Sequence, residues 1–139
     1  MAVIRTSLPE LEQAILATLK ASTPLVALVT LIADAGAVPV NQTFPYIDVN
    51  MGHETPKNAF GNRGYEARPT LNIYSNYRGY TECYTILNLM NGLLDQANLT
   101  LANHHLVYFL YDDAFPLNAP GLDNIRQLSV RYKTFTQEH

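Results

Sequence analysis

The stretch RPTLNIYSNYRGYTECYTILNLMNGLLDQ, residues 68–96, decides the fold of this chain. It reads as a strand, a turn at Tyr77-Arg78-Gly79, and an amphipathic helix. Leu71 and Ile73 stand two apart, the spacing that puts both on one face of a strand. After the turn, Cys83, Ile86, Leu87, Met90, Leu93 and Leu94 recur at helical period and form one apolar stripe. A strand feeding such a helix makes a two-layer unit. The rest of the chain must complete its sheet and cover its apolar face.

Working outward, residues 46–51 alternate, with Ile47, Val49 and Met51 facing inward as a half-buried strand. Residues 105–111 are apolar on both faces and read as a strand in a central or interface-facing position. Residues 125–135 read as another strand. Leu128, Val130 and Tyr132 lie on one face, with Gln127, Ser129, Arg131 and Lys133 on the other. Asn98-Leu99-Thr100 reads as a short strand or turn, and residues 136–139 as a frayed tail. At the other end, Ser7-Leu8-Pro9-Glu10 has the pattern of a capping box. Leu8, Leu11, Ile15 and Leu19 mark one face of the helix that follows. Thr23-Pro24 repeats the start signal, and Leu25, Leu28, Val29 and Ile32 give a short second helix ending near Gly36. These two helices read as a small pair.

Two connections are long. Residues 52–66, GHETPKNAFGNRGYE, hold three glycines, a proline and two asparagines, and show no apolar period. They read as a hairpin arm, of a length that is usually functional or mobile. Between Lys57 and Arg78 stand four basic residues and one acid, a local positive lean in an acidic protein. Residues 112–121, with two prolines and two aspartates, read as a second long loop. The resulting order is α-α-β-β-α-β-β. It predicts a single α+β domain over residues 1–139, with a mostly antiparallel sheet of four or five strands and helices packed on one face.

Composition bounds the function. At 139 residues the chain can bury a real core without staples. Its charged fraction of 15% and nine tyrosines suit a surface partly covered by partners. A net charge of −3 argues against wrapping nucleic acid through an all-basic surface. One cysteine excludes an internal disulfide framework and a cysteine-rich zinc site. No signal-peptide pattern follows Met1, and the longest apolar run, residues 24–33, is too short to span a bilayer.

No reactive constellation is visible. His104 and His105 are adjacent, so on a strand they point apart and cannot share a metal. They and His53 read as surface or interface histidines. Asp112, Asp113 and Asp123 sit in a proline-rich loop, where aspartates make turns or stay solvated. Cys83 falls on the apolar stripe, as a small buried hydrophobe would. Gly61-Asn62-Arg63-Gly64 lacks the phosphate-loop pattern. Tyrosine and arginine interleave over residues 74–80, which would suit base stacking, but tyrosines at a strand end and helix start more commonly pack or cap. No catalytic, metal or cofactor role is expected.

Taken in order, the segments resemble the tail-completion, or tail-terminator, proteins of long-tailed bacteriophages. The resemblance covers nearly the whole chain and rests on several features of low individual specificity. Pro24-Leu25-Val26-Ala27-Leu28-Val29 resembles the family's short second helix. Phe44-Pro45-Tyr46-Ile47-Asp48-Val49 is similar to its strand opening. Leu71-Asn72-Ile73-Tyr74 leads through Gly79-Tyr80-Thr81-Glu82 into the long helix. Residues 112–123 and Val130-Arg131-Tyr132 resemble the last loop and closing strand. The 52–66 arm is longer and more irregular than many relatives would need. The resemblance implies a structural virion protein, made in the host cytoplasm, that forms a homo-oligomeric ring, typically of six subunits, at the head-proximal end of the tail. The ring would end tail-tube polymerisation, bind the tube protein on one side and a head-completion or neck protein on the other, and let DNA pass without sequence readout. It implies no catalytic residues and no membrane. His53, Lys57, Phe60, Arg63 and Tyr65 of the arm, with Asp112, Asp113 and Phe115 of the last loop, are the expected contacts with neighbours. Deleting residues 57–64 is expected to leave the monomer folded. Two other readings compete: a different neck connector or adaptor built on the same sheet, and a small enzyme or ligand-binding α+β domain using Asp112, Asp113 and the histidines.

Overall fold

The computed structural model describes residues 6–39, 41–57, 63–117 and 125–138. Among these residues there are three helices, α1 (Leu8–Lys20), α2 (Thr23–Leu28) and α3 (Thr81–Leu94). The strands are β1 (Leu31–Asp34), β2 (Tyr46–Asn50), β3 (Glu54–Pro56), β4 (Gly64–Ala67), β5 (Thr70–Ser75), β6 (His104–Leu117) and β7 (Arg126–Glu138). They form one sheet in the order β1-β2-β5-β7-β4-β3, with β6 along the other side of β7. Only β1 and β2 pair in parallel among the described strands; the other ladders are antiparallel. The fold is a single α+β domain, as the sequence pattern predicts, with more strands than the four or five expected.

Strand β7 is the spine. Its first half pairs with β5 and its second half with β4, while β6 runs beside it throughout. Where β4 hands over to β5, the Tyr132 N–H donates to the Pro69 carbonyl at 3.0 Å and bridges the gap. Alternation then fixes the two faces. Ile47 faces Ile73, Val49 faces Leu71, and Leu71 and Ile73 face Val130 and Leu128. All six are buried, and the helices cover them with Leu11, Ile15, Leu19, Leu25, Cys83, Ile86, Met90 and Leu94 in one continuous core. The Tyr132 hydroxyl donates to Asn91 at 2.7 Å and pins α3 to the spine. At full burial, each of these large apolar side chains contributes about 1.5–3 kcal/mol to folding.

Several expectations are corrected. The apolar residues after Leu28 do not continue a helix: Val29 is extended and Leu31–Asp34 is strand β1. The Thr30 N–H donates to the Pro45 carbonyl, and its hydroxyl donates to Thr43 and Pro45 carbonyls. Pairing beside β2 therefore takes the backbone that another helical turn would need. Gly36 lies in a 3-10 turn after β1, Ala35–Ala37, and ends no α-helix. The capping box does not form. Ser7 is helical and its hydroxyl donates to Glu54, while the Glu10 carboxylate reaches Asn103 and His104. Residues 98–100 form no strand, and strand β7 continues through the expected frayed tail to Glu138. Residues 52–66 are not wholly a loop, because β3 and β4 pair inside them. Most of the second expected loop is strand as well, since β6 continues to Leu117.

Candidate assembly surface

On the sheet face turned away from the helices, the arm and the distal half of β6 meet. The Lys57 ammonium lies 2.7 Å from Glu66, Arg68 lies 3.1 Å from Glu66, and Arg68 also reaches Asp112 at 3.4 Å. Asp113 stands opposite Arg131 in the β6–β7 ladder and is ion-paired with it. The Arg131 guanidinium also lies 5.1 Å from the Phe115 ring centre. Contact with Lys57 holds the Glu66 carboxyl below the usual range, and Arg131 does the same for Asp113. Alternating signs across three strands thus fix one patch. Individually such exposed pairs contribute little to folding, so the patch acts chiefly as a defined polar surface.

The structure places the expected contact residues differently. His53 and Lys57 are exposed, and Asp112, Asp113 and Phe115 share the distal half of β6. Tyr65 is buried, its ring edge-on to His104 with centroids 5.7 Å apart. Arg63 is half-buried, and one of its terminal nitrogens is enclosed without a hydrogen-bond partner. Phe60 lies outside the described residues. His104 is not a surface histidine. It is buried, and Nδ1 lies 2.9 Å from Glu10. Burial works against ionisation of Glu10, but hydrogen bonds from His104 and Asn103 outweigh it and keep its pKa low. Cys83 is buried beside Glu82, and its thiol is pushed up to about 11, which leaves it protonated at neutral pH. Among the described residues, no three His, Cys, Asp or Glu side chains gather as metal ligands would.

The family model for the tail completion protein gp17 matches residues 13–137. The chain belongs to the tail completion protein gp17 family. It is thus a structural protein of phage-type tails and a component of the virion. A chain in the solved virion of a native gene transfer agent (GTA) particle has the same fold, with a TM-score of 0.86 at 17% identity. The alignment covers 96% of this chain and 99% of that one. No curated protein sequence matches the chain.

A tail-completion protein works through its surfaces, and some of these escape the sequence pattern. On the open face, Asn72 accepts from Ser129 and Gln127 and donates to Asp48 at 2.8 Å. Burial raises the pKa of Asp48, partly offset by hydrogen bonds from Asn72 and Tyr74. The Tyr46 and Tyr74 rings stack beside it at 4.7 Å. At the turn before α3, Gly79 adopts a positive φ of 83°, and Asn76, Tyr77, Arg78 and Arg126 line a groove. The packing expected of this turn holds for Tyr74 and Tyr80, which stack on Tyr46 and Tyr84, but not for Tyr77, which is 55% exposed. Along β6, Val107, Leu110, Tyr111 and Leu117 are exposed. Two bulges interrupt that strand, and its free side is partly occupied: Phe109 accepts from the Gln96 N–H, and the Tyr111 N–H donates to Asp95. Bulges and capped backbone are how an edge strand avoids indiscriminate pairing.

Proposed function

We propose that the chain assembles as a homo-oligomeric ring, typically of six copies, at the head-proximal end of a phage-type tail. The ring ends polymerisation of the tail tube and joins tail to head. It contacts the tube protein on one side and a head-completion or neck protein on the other, and DNA passes through its lumen without being read. The observation that carries this reading is the match to the tail-completion family over residues 13–137. The polar patch supports it. His53, Lys57, Arg63, Asp112, Asp113 and Phe115 sit on or beside ladders that fix their backbones, as a repeated interface requires. Phe60 belongs to the same proposed surface, and Tyr65 supports it from within the core.

Imaging tests the reading directly. Purified chain mixed with tail tubes is expected to appear as a ring on one end of each tube and to stop further growth. A chain that never caps tubes, or that binds their sides, would sink the proposal. A monomer in isolation decides little, because the tube end can template the ring. A neck adaptor would instead bind a head or connector in the absence of tubes.

A further inference from the structure

We propose that copies of this chain join edge to edge, with residues 114–117 of β6 in one copy adding an antiparallel strand to β1 of the next. This rests on the ring reading and names the joint between subunits. Among the described strands, β1 and β6 are the two outer edges of a five-strand section, β1-β2-β5-β7-β6. The ladders put both edges on the same rows. Leu31 is level with Tyr46, Tyr74, Gln127 and Leu117, and Asp34 is level with Val49, Leu71, Val130 and Ala114. Strand direction fits as well. β1 runs with β2 and each later neighbour reverses, so β6 runs against β1. A second copy set beside β6 in the same orientation therefore offers it an antiparallel strand of matching length.

The backbone groups agree with this joint. The Tyr132 N–H donates to Pro69, on the side of β7 away from β6. Alternation from that bond turns Ser129 and Phe115 toward each other, and points the Ala114 N–H and C=O and the Pro116 C=O outward. Carried across β5 and β2, it points the groups of Ile32 and Asp34 outward from β1. Side-by-side copies then exchange two bonds between Ala114 and Asp34, and the Ile32 N–H donates to Pro116. Faces match too. Ala114 and Pro116 stand opposite the core residues Val130 and Leu128, and Ile32 stands opposite the core residue Ile47. The helix side of one copy thus continues into the helix side of the next. On the open side, Leu117 meets Leu31 and Phe115 meets Ala33. Leu117 is exposed, as are Val26 and Leu28 of α2. Val26 also lines a groove of about 180 Å³ with Lys20, Val29, Thr30, Leu31 and Ile32, at the edge where the second copy would sit. Among the described residues, Asp95 and Gln96 cap β6 at Phe109 and Tyr111, short of the proposed joint. A two-fold pairing of β6 with β6 would stop at a dimer and set Pro116, which lacks an N–H, in both strands. The β6–β1 joint uses a different surface on each copy, as a closed ring requires.

Disulfide trapping at tube ends tests the joint with the full-length chain. Residues facing each other in a hydrogen-bonded antiparallel pair have Cα atoms about 5.5 Å apart, within disulfide reach. Chains carrying Asp34→Cys and Ala114→Cys together, mixed with tail tubes and oxidised, should give a ladder of linked oligomers that ends at the closed ring. Cys83 stays out of the reaction, because it is buried and its thiol is protonated. Asp34→Cys alone or Ala114→Cys alone should give no linked species, and a mixture of the two should give dimers. Linked dimers of Ala114→Cys alone would overturn the proposal in favour of a two-fold β6 contact. Asp34→Pro removes an outward N–H and leaves the ladder to β2 intact, at a φ of −57° that proline accepts. It should keep the wild-type urea midpoint and need about tenfold more protein to cap tubes. A folded Asp34→Pro that caps as wild type does overturns the joint. Capped tubes without the engineered disulfide also sink it and leave the ring reading standing. A linked ladder beside uncapped tubes supports the joint and sinks the tube-end reading.

Discussion

Glu10 shows how a surface-helix residue becomes part of the frame. Its carboxylate accepts from the Asn103 backbone N–H at 3.0 Å and side-chain amide at 2.6 Å, and meets buried His104 at 2.9 Å. Glu10→Ala would leave His104 Nδ1 buried without that partner. It should cost about 2 kcal/mol at neutral pH, read by urea denaturation. Because the folded-state pKa of Glu10 is depressed, its contribution is present above the unfolded value and disappears as pH falls through the folded one. The gap between wild type and Glu10→Ala should therefore narrow in acid; a gap that widens would refute the assignment. Asp48 works in the opposite sense. Burial raises its pKa, so its contribution is full below the unfolded value and is lost as pH rises through the folded one. Asp48→Asn keeps an oxygen to accept from Asn72 and removes the buried charge. It should raise the melting temperature at neutral pH and lose that advantage in acid. A variant less stable than wild type at neutral pH would show that Asp48 meets a cation through the open face.

At the scale of elements, the two stems of the arm converge. The Lys57 N–H donates to the Gly64 carbonyl at 2.6 Å. A side chain at Gly64 would run into the Phe135 ring, so this glycine is part of the sheet. Deleting residues 57–64, which the polar composition alone recommends, would remove part of β4. Replacing residues 58–62 with Asn-Gly spares both stems. The monomer should keep its circular dichroism and melt within a few degrees of wild type, and tube capping should weaken. Unfolding would show that the arm tip belongs to the core. These strands were illegible because their partners lie far away in sequence: β4 exists where β7 gives it a ladder, and β3 where β4 does. The distal half of β6 was hidden by chemistry that is unfavourable only in a central strand. Pro116 is tolerable on an edge, and Asp113 gains a cross-strand arginine. By contrast, α3 and the Leu71, Ile73, Leu128 and Val130 faces were readable, since period and burial agree there. For β1 they disagreed: Leu25, Leu28, Val29 and Ile32 fit a helix by spacing, and pairing with β2 prevailed. Of the expected contacts, Asp112, Asp113 and Phe115 share one strand, whereas Tyr65 is taken by the core, a burial that spacing within a polar segment cannot reveal.

Across the whole molecule, folding and the proposed assembly use different sides of the same sheet. The helix side holds the core and the Tyr132–Asn91 bond, and the open side holds the Lys57, Glu66, Arg68, Asp112 and Asp113–Arg131 patch with Phe115. Strand β7 borders both, with Tyr132 pointing one way and Arg131, which meets Phe115 of β6, the other, so one substitution on each face can separate the two properties. Tyr132→Phe removes only a hydroxyl and leaves Asn91 short of a donor. It should cost about 1 kcal/mol in denaturation and leave tube capping intact. Phe115→Asp lies on the edge strand, away from the core. It should change the denaturation midpoint little, because it gives up one contact with an exposed arginine, yet it should abolish capping by placing a charge at the proposed interface. The two variants, measured side by side by urea titration and by imaging of tube ends, are expected to show opposite patterns. If Phe115→Asp caps tubes as well as wild type does, the interface lies elsewhere, and the exposed apolar residues along β6, Val107 and Leu110 among them, become the surface to mutate next.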